Sequence, residues 1–210
     1  MDKELQKRIL SSIIILPLSL FFIIKGSTFF ILFLLILFLI SSSEWLNMTK
    51  KLEFKLLGIS FLIFSFYSTF YIREDGLMSF LLIMIICVST DLGGYIFGKV
   101  FKGPKLTKIS PNKTYAGVIG SFLLSLISGL VFIKYFWISE SYRVDDDQLI
   151  LLLYILFISL ISQIGDLIIS YFKRKAKLKD TGNILPGHGG LLDRIDGLIF
   201  VIPIIYVSII

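Results

Sequence analysis

Seven apolar runs, separated by short polar stretches, constrain the fold of this chain more than any other feature. A helix needs about 20 apolar residues to cross a bilayer, and most of the runs approach or reach that length. Only 17% of the residues are charged, against about a quarter in soluble domains, which excludes a soluble enzyme. We therefore predict an all-α, polytopic integral membrane protein with about seven transmembrane helices. The candidate helices are Ile9–Ile24, Thr28–Trp45, Leu56–Ile72, Leu77–Phe97, Tyr115–Ile138, Leu149–Phe172 and Leu191–Ile210.

The distribution of basic residues predicts the orientation of these helices. If all seven runs cross the membrane, one set of loops holds 17 of the 21 Lys and Arg residues. Basic loops remain on the cytoplasmic side, so we predict a cytoplasmic N-terminus. The first run resembles the apolar part of a signal peptide, but the Lys25-Gly26-Ser27 stretch reads as a tight turn, and we expect the run to be retained.

The long polar stretches lie in the C-terminal part of the chain. They cover 98–114 and 173–196, and both belong to the predicted cytoplasmic set. A water-soluble substrate would meet the protein there. We therefore divide the chain into N-terminal membrane helices, 1–88, and a catalytic membrane region, 89–210.

Two carboxylates, Asp91 and Asp166, interrupt apolar runs. An acidic residue at the centre of a membrane helix costs about 2.5–3.5 kcal/mol on insertion scales, so each needs a partner or a water-filled cavity. Both lie about 10–12 Å below the cytoplasmic basic residues, at 1.5 Å per helical residue. Equal depth predicts a shared, cytoplasm-facing polar cavity. A polar clamp between helices is the alternative, and for the glycines around Asp91 close helix packing is as good an explanation as a ligand.

A polar stretch, Ser110–Thr114, opens the fifth run. Ser110 is a candidate N-cap with Pro111 at the first helical position. Backbone N–H groups at such a helix start, together with Lys113, would attract an anion. A capped helix with cytoplasmic lysines explains the pattern equally well.

The Ser170–Asp196 segment carries the densest signal for chemistry. It combines lysines, three aspartates, the only histidine and a Pro-Gly-His-Gly-Gly turn, where the backbone can approach a ligand closely. Asp193 and Asp196 are three residues apart, which predicts that they share a face of the seventh helix. Carboxylates beside cations favour Mg²⁺ bridged to phosphates over zinc, and His188 alone is a weak metal ligand.

This segment resembles the signature of the phosphatidate cytidylyltransferases, also called CDP-diacylglycerol synthases. Two further blocks, Ser89–Gly98 and Lys108–Gly117, resemble the same family, as does Gly165-Asp166-Leu167, so the resemblance covers the chain from about Ser89 onward. The matching residues of the segment are Ser170, Lys173, Arg174, Lys179, Asp180, Gly182, Pro186, His188, Gly189, Gly190, Asp193, Arg194 and Asp196.

The resemblance implies transfer of CMP from CTP to phosphatidate, with Mg²⁺ as cofactor and a second cation left open. It implies metal binding by Asp166, Asp193 and Asp196, and phosphate contacts by Lys173 and Arg174. A homodimer in the lipid bilayer is also implied, and no nucleic-acid partner is expected. The residues expected to bind substrate are Asp91, Ser110, Asn112, Lys113, Thr114, Lys179, Asp180, His188, Gly189, Gly190 and Arg194.

Three other functions fit parts of the pattern. A cation- or proton-coupled transporter would use Asp91 and Asp166, but it leaves the Ser170–Asp196 segment without a role. A CDP-alcohol phosphotransferase would carry a spaced aspartate motif that the sequence lacks. A passive lipid-binding protein needs only the basic loops, and its aspartates would be unfavourable.

Overall fold

The computed structural model describes residues 3–107, 109–136, 148–185, 187 and 189–209, and their regular secondary structure is helical. Apolar runs form these helices because a helix satisfies its own backbone hydrogen bonds within the bilayer. Two isolated bridges, Lys105 with Thr114 and Leu185 with Gly189, shape the connecting loops. The helices are α1 (Lys3–Lys25), α2 (Ser27–Met48), α3 (Leu52–Asp75), α4 (Leu77–Phe101), α5 (Tyr115–Phe136), α6 (Gln148–Lys175), α7 (Leu192–Ile195) and α8 (Leu198–Ile209).

Five of these helices, α2 to α6, are long and apolar enough to cross a membrane. Shorter apolar stretches cover Ile13–Lys25 and Leu198–Ile209. Less than half of the most apolar window of each long helix is buried within the chain, as expected of helices solvated by lipid. The all-α, multi-pass membrane fold is therefore confirmed, and the count of seven crossings stays a prediction.

The last predicted helix was wrong as one continuous element. The run Leu191–Ile210 divides into α7 and α8, because Asp196 and Gly197 form a turn between them. The Asp196 carboxylate accepts a hydrogen bond from the Gly197 backbone N–H at 2.9 Å, which favours that turn over a continuing helix. The predicted loop bounds at 98 and 173 also shift, because α4 continues to Phe101 and α6 to Lys175.

The chain forms two compact units. The first unit comprises Met1–Leu77 and Tyr171–Ile210, and the second comprises Met78–Ser170. Neither boundary falls at residue 88, where the sequence divided the chain. That division concerns where the chemistry lies, and it stays a prediction.

In the first unit α3 packs against both α2 and α8, while α2 also contacts α1 and α7. The Trp45 indole N–H donates to the Phe54 carbonyl at 2.9 Å, and its ring lies 4.8 Å from that of Phe172. The Arg73 guanidinium donates to two carbonyls at the C-terminal end of α1, which lack partners within that helix. The Trp45 contacts hold α2, the helix that carries Glu44, against α3 and the end of α6, and the Arg73 hydrogen bonds join α3 to α1.

In the second unit α4 and α5 approach at glycines. A Cβ atom placed on Gly93 would lie 2.8 Å from the Gly120 carbonyl carbon and 2.9 Å from the Ser121 Cα atom, so a side chain has no room there. The neighbouring Thr90 is fully buried, and its backbone carbonyl accepts a hydrogen bond from the Ser121 hydroxyl at 2.7 Å. Small residues therefore serve close helix packing here, as in many membrane proteins.

Candidate active site

A buried ion pair joins the end of α6 to α7 in the first unit. Lys173 lies in the last turn of α6, and its Nζ atom donates to Asp193 Oδ1 at 2.7 Å. The two side chains are only 10% and 7% exposed. A charge removed from water to this degree needs its partner, so the pair fixes the two ends of the intervening loop.

The second oxygen of Asp193 organises the loop itself. Oδ2 accepts hydrogen bonds from the backbone N–H groups of Thr181 at 2.8 Å and Gly190 at 3.1 Å. The Thr181 hydroxyl also lies 3.1 Å from it. Gly189 has a φ of 86°, and a Cβ atom there would lie 3.1 Å from the same oxygen. Asp193 therefore acts as the anionic centre of a tightly folded loop, which the linear spacing of residues did not predict.

A second buried carboxylate in this unit escaped the sequence analysis. Glu44, near the end of α2, is 3% exposed. Its two oxygens accept hydrogen bonds from the backbone N–H groups of Leu191 and Leu192, both at 2.8 Å. The Thr181 hydroxyl also bonds to it, at 2.9 Å. An acidic residue within the predicted second apolar run was the available signal, and its partners lie 137 to 148 residues further along the chain.

The other predicted residues of this segment occupy different environments. Asp196 is buried beside the α7–α8 turn. Arg174 is exposed, and its guanidinium donates to the Leu178 carbonyl at 2.9 Å. Lys179, Asp180 and Arg194 are also exposed. His188 lies outside the described residues, as does Pro186.

A second lysine–aspartate pair lies within the second unit. Lys113 Nζ stands 2.6 Å from Asp166 Oδ2, with the side chains 24% and 26% exposed. The same ammonium lies 3.4 Å from the Gln163 carbonyl, and the Ser170 hydroxyl donates to Asp166 Oδ1 at 3.2 Å. The structure thus brings together two residues that the sequence analysis assigned separately, one to the nucleotide and one to the metal.

The start of α5 differs from the predicted helix cap. The helix begins at Tyr115, and the Thr114 hydroxyl accepts a hydrogen bond from the Gly117 N–H at 3.1 Å, so Thr114 is the N-cap. Ser110 was therefore wrong as the cap. Its carbonyl instead accepts the Lys113 N–H in a turn at 3.0 Å, which shapes the loop that presents Lys113. Asn112 is exposed in that turn.

Asp91 lies on α4 and is exposed, in contrast to Thr90 beside it. The Thr90 hydroxyl lies 2.8 Å from that of Ser159 on α6. Thr90 is thus one of the residues that hold α4 to its neighbours. The cavity that Asp91 and Asp166 were expected to share stays a prediction.

The donors of the candidate site suit a hard cation. Asp193 and Asp196 offer carboxylate oxygens, which Mg²⁺ prefers, and Mg²⁺ is commonly held by one or two carboxylates together with substrate phosphates. In the described parts of the chain no three His, Cys, Asp or Glu side chains are grouped closely enough to enclose a metal. The donor chemistry therefore fits Mg²⁺ shared with a nucleotide, and the ligand set with Asp166 stays a prediction.

Comparison with known proteins extends the similarity beyond the Ser170–Asp196 segment. The profile of the cytidylyltransferase family matches residues 50–210. A phosphatidate cytidylyltransferase of Rickettsia typhi is 40% identical over 98% of this chain and 92% of the relative, and that of Rickettsia bellii is 34% identical over the same shares. A phosphatidate cytidylyltransferase of Staphylococcus haemolyticus is 42% identical over 73% of this chain and 55% of the relative. The sequence analysis expected the resemblance to begin at about Ser89, but the similarity extends over nearly the whole chain. It therefore includes the helix that carries Glu44.

Proposed function

Because this chain belongs to the cytidylyltransferase family, we infer that it is a membrane-embedded phosphatidate cytidylyltransferase. It transfers the CMP group of CTP to phosphatidate, giving CDP-diacylglycerol and pyrophosphate. The observation that carries this conclusion is the 40% identity to the Rickettsia typhi enzyme across 98% of the chain. No observation on the described residues favours a transporter.

The reaction needs no nucleophile from the protein. A phosphomonoester has a second pKa of about 6, so phosphatidate reaches neutral pH largely as a dianion. One of its oxygens bonds to the α-phosphorus of CTP, and the bond from that phosphorus to the bridging oxygen breaks, releasing pyrophosphate. The chain therefore has to position two polyanions and neutralise their charge.

We assign charge neutralisation to the acidic and basic residues of the site. Asp166, Asp193 and Asp196 would hold Mg²⁺, which when bound offsets the charge of the CTP phosphates and of the leaving pyrophosphate. Lys113 and Lys173 supply ammonium groups, each paired with an aspartate. Phosphate oxygens can take the place of those carboxylates, and Arg174, exposed at the end of α6, is a further phosphate contact.

The remaining predicted residues are assigned to the substrates. Ser110, Asn112 and Thr114 belong to the loop and cap that present Lys113, and we assign this loop to the nucleotide. Asp91 shapes the polar surroundings of the nucleotide. Contacts from the Ser170–Asp196 segment complete the set: Lys179, Asp180, His188, Gly189, Gly190 and Arg194.

The first test is an assay of pyrophosphate release by the purified protein in phosphatidate micelles. We expect turnover that requires CTP, phosphatidate and Mg²⁺ together, with little activity when ATP replaces CTP. The signal should vanish on chelation and return when Mg²⁺ is added back. Equal pyrophosphate release without phosphatidate would contradict the transferase function.

The orientation of the site gives a second prediction. We propose that the N-terminus and the active site face the cytoplasm, because 17 of the 21 Lys and Arg residues lie in one set of loops. In a Cys87→Ser background, Lys177→Cys should react with an impermeant reagent from the cytoplasmic side, and Asp146→Cys only from the opposite side. Asp146 lies outside the described residues, so the result rests on charge alone. Labelling of both from one side would refute the orientation.

The assembly is also a proposal. The resemblance to the family implies a homodimer. Light scattering from the protein in detergent should therefore give the mass of two 23.9 kDa chains, and the mass of one chain would contradict the dimer.

A further inference from the structure

We propose that Glu44 is a positioning residue of the active site: it holds one end of the 181–193 loop by the Thr181 side chain and the other by the backbone N–H groups of Leu191 and Leu192, and so holds Asp193 in place. The inference rests on the proposed function and adds to it a residue outside the Ser170–Asp196 segment. It is carried by four observations on the first unit.

The first observation is the set of donors around Glu44. The side chain is buried, yet each oxygen receives a backbone N–H, from Leu191 and from Leu192 at 2.8 Å. Hydrogen bonds to a carboxylate are shorter and stronger than those between neutral groups. With the Thr181 hydroxyl as a third donor, the Glu44 carboxylate is held in one position. Its bonds to Leu191 and Leu192 hold the start of α7 against it.

The second observation is the space around the carboxylate. A Cβ atom on Gly182 would lie 2.7 Å from Glu44 Oε1, and one on Gly190 would lie 2.7 Å from Glu44 Oε2. Both positions therefore require glycine for the backbone to close around this side chain. Gly182 and Gly190 belong to the resemblance noted in the sequence. A side chain on Gly182 would meet Glu44, and one on Gly190 would also meet the Thr181 hydroxyl and the Gly182 backbone nitrogen.

The third observation links Glu44 to Asp193. The Thr181 hydroxyl lies 2.9 Å from Glu44 Oε2 and 3.1 Å from Asp193 Oδ2, so the two carboxylates share its single proton as a donor. The residues that Glu44 fixes are also neighbours of those that bind Asp193, since Gly190 donates to Asp193 and Leu191 to Glu44. A shift at Glu44 would therefore reach Asp193 through two routes.

The fourth observation concerns what Glu44 does not do. Its oxygens are occupied by donors from the chain, Oε1 by one and Oε2 by two. Asp193 differs, because a phosphate that draws Lys173 away would free its Oδ1 atom, whereas the donors that the described residues give Glu44 are two backbone N–H groups and one hydroxyl. Glu44 therefore acts through the loop that it holds, and the residues exposed on that loop meet the substrate.

The test compares Glu44→Gln with Glu53→Gln, which removes an exposed carboxylate from the first turn of α3 in the same unit. Gln keeps the size of Glu but puts an NH₂ group where one of the backbone N–H groups now finds an acceptor. Hydrogen–deuterium exchange of the purified protein should show amide exchange at 191–192 at least about tenfold faster in Glu44→Gln. The control variant should match the parent protein.

Kinetics on the same samples separate positioning from a loss of folded protein. Per folded molecule, kcat of Glu44→Gln should fall at least about tenfold, while KM for phosphatidate stays within about threefold, because Glu44 meets no substrate. Unchanged exchange at 191–192, or an unchanged kcat, would overturn the proposal. If the parent protein has no CTP-dependent activity, the proposed function fails, and the exchange measurement still decides whether Glu44 holds the loop.

A second variant covers the case in which Glu44→Gln does not fold. Thr181→Val keeps the shape of the side chain and removes the hydroxyl that bridges the two carboxylates. We expect faster exchange at 191–192 and a kcat lowered about threefold to tenfold. Where both single variants fold, the double variant should lose less than the product of the two effects, because both act through one contact. A Thr181→Val protein with parental exchange and kcat, or fully multiplicative losses, would contradict the proposal.

Discussion

Asp193→Asn should lower turnover by about 10²- to 10³-fold, the range found when one preorganised electrostatic contact is lost from an active site. It should also destabilise the protein by about 3–5 kcal/mol, because Lys173 would be left as a buried charge without its partner. The Asn amide can replace only one of the two carboxylate oxygens, so either Lys173 or the backbone N–H groups of Thr181 and Gly190 would face an NH₂ group. Thermal unfolding in detergent and the CTP assay measure the two effects separately.

A charge-neutral double variant distinguishes the structural loss from the catalytic one. Asp193→Asn combined with Lys173→Met leaves no unpaired buried charge, so we expect most of the thermal stability to return while turnover stays low. Asp75→Asn serves as the control, since that carboxylate is exposed at the end of α3. If the double variant recovers both stability and turnover, the pair is structural and takes no part in the reaction.

The fold could largely be predicted, because apolar length and charge spacing determine where membrane helices lie. Helices α2 to α6 overlap the predicted runs closely, because a long apolar segment in a bilayer must satisfy its own backbone hydrogen bonds. The exception is the turn at Asp196 and Gly197, near the start of a run that the sequence analysis took as one helix although Asp193, Arg194 and Asp196 interrupt its apolar residues. There a local hydrogen bond from the Gly197 N–H to the Asp196 carboxylate favours the turn, and such a bond leaves no trace in a hydropathy pattern.

The candidate site could be predicted in its composition but not in its pairings. Residue types and the family resemblance identified Lys113, Asp166, Lys173 and Asp193. Which lysine rests on which aspartate depends on contacts across 53 residues in one pair and, for Lys173, across 20. Glu44 was missed because its partners lie more than 130 residues away. A buried acid near the end of an apolar run signals that a partner exists without identifying it.

The two pairs share one physical feature that the sequence could not reveal. In each, an ammonium group rests on a carboxylate that was assigned to a metal, at 2.6 Å for Lys113 with Asp166 and 2.7 Å for Lys173 with Asp193. A divalent cation bound to a polyphosphate carries a positive charge that suits the aspartate of such a pair and negative charges that suit its lysine. Each lysine thus offsets the charge of its aspartate, which avoids the cost of unpaired charges at the membrane.

Asp166→Asn should abolish turnover and weaken Mg²⁺ binding at least about tenfold in a direct binding titration, because one anionic ligand is lost while the size of the side chain is kept. Asp91→Asn, the matched change on α4, should reduce turnover with a smaller shift in Mg²⁺ dependence, since Asp91 is assigned to the surroundings of the nucleotide. Both variants should still insert into the membrane, because Asn is no harder to bury than Asp.

Lys113→Gln separates metal binding by Asp166 from a role limited to holding Lys113. If Asp166 only positions that lysine, the two variants should lose activity alike, with CTP binding weakened and the Mg²⁺ titration unchanged. If Asp166 binds the metal, only Asp166→Asn should shift the Mg²⁺ titration, and Lys113→Gln should mainly raise KM for CTP. A larger Mg²⁺ shift for Asp91→Asn, or near-normal activity of Asp166→Asn, would instead make the ion pair with Lys113 a polar clamp between α6 and the loop before α5.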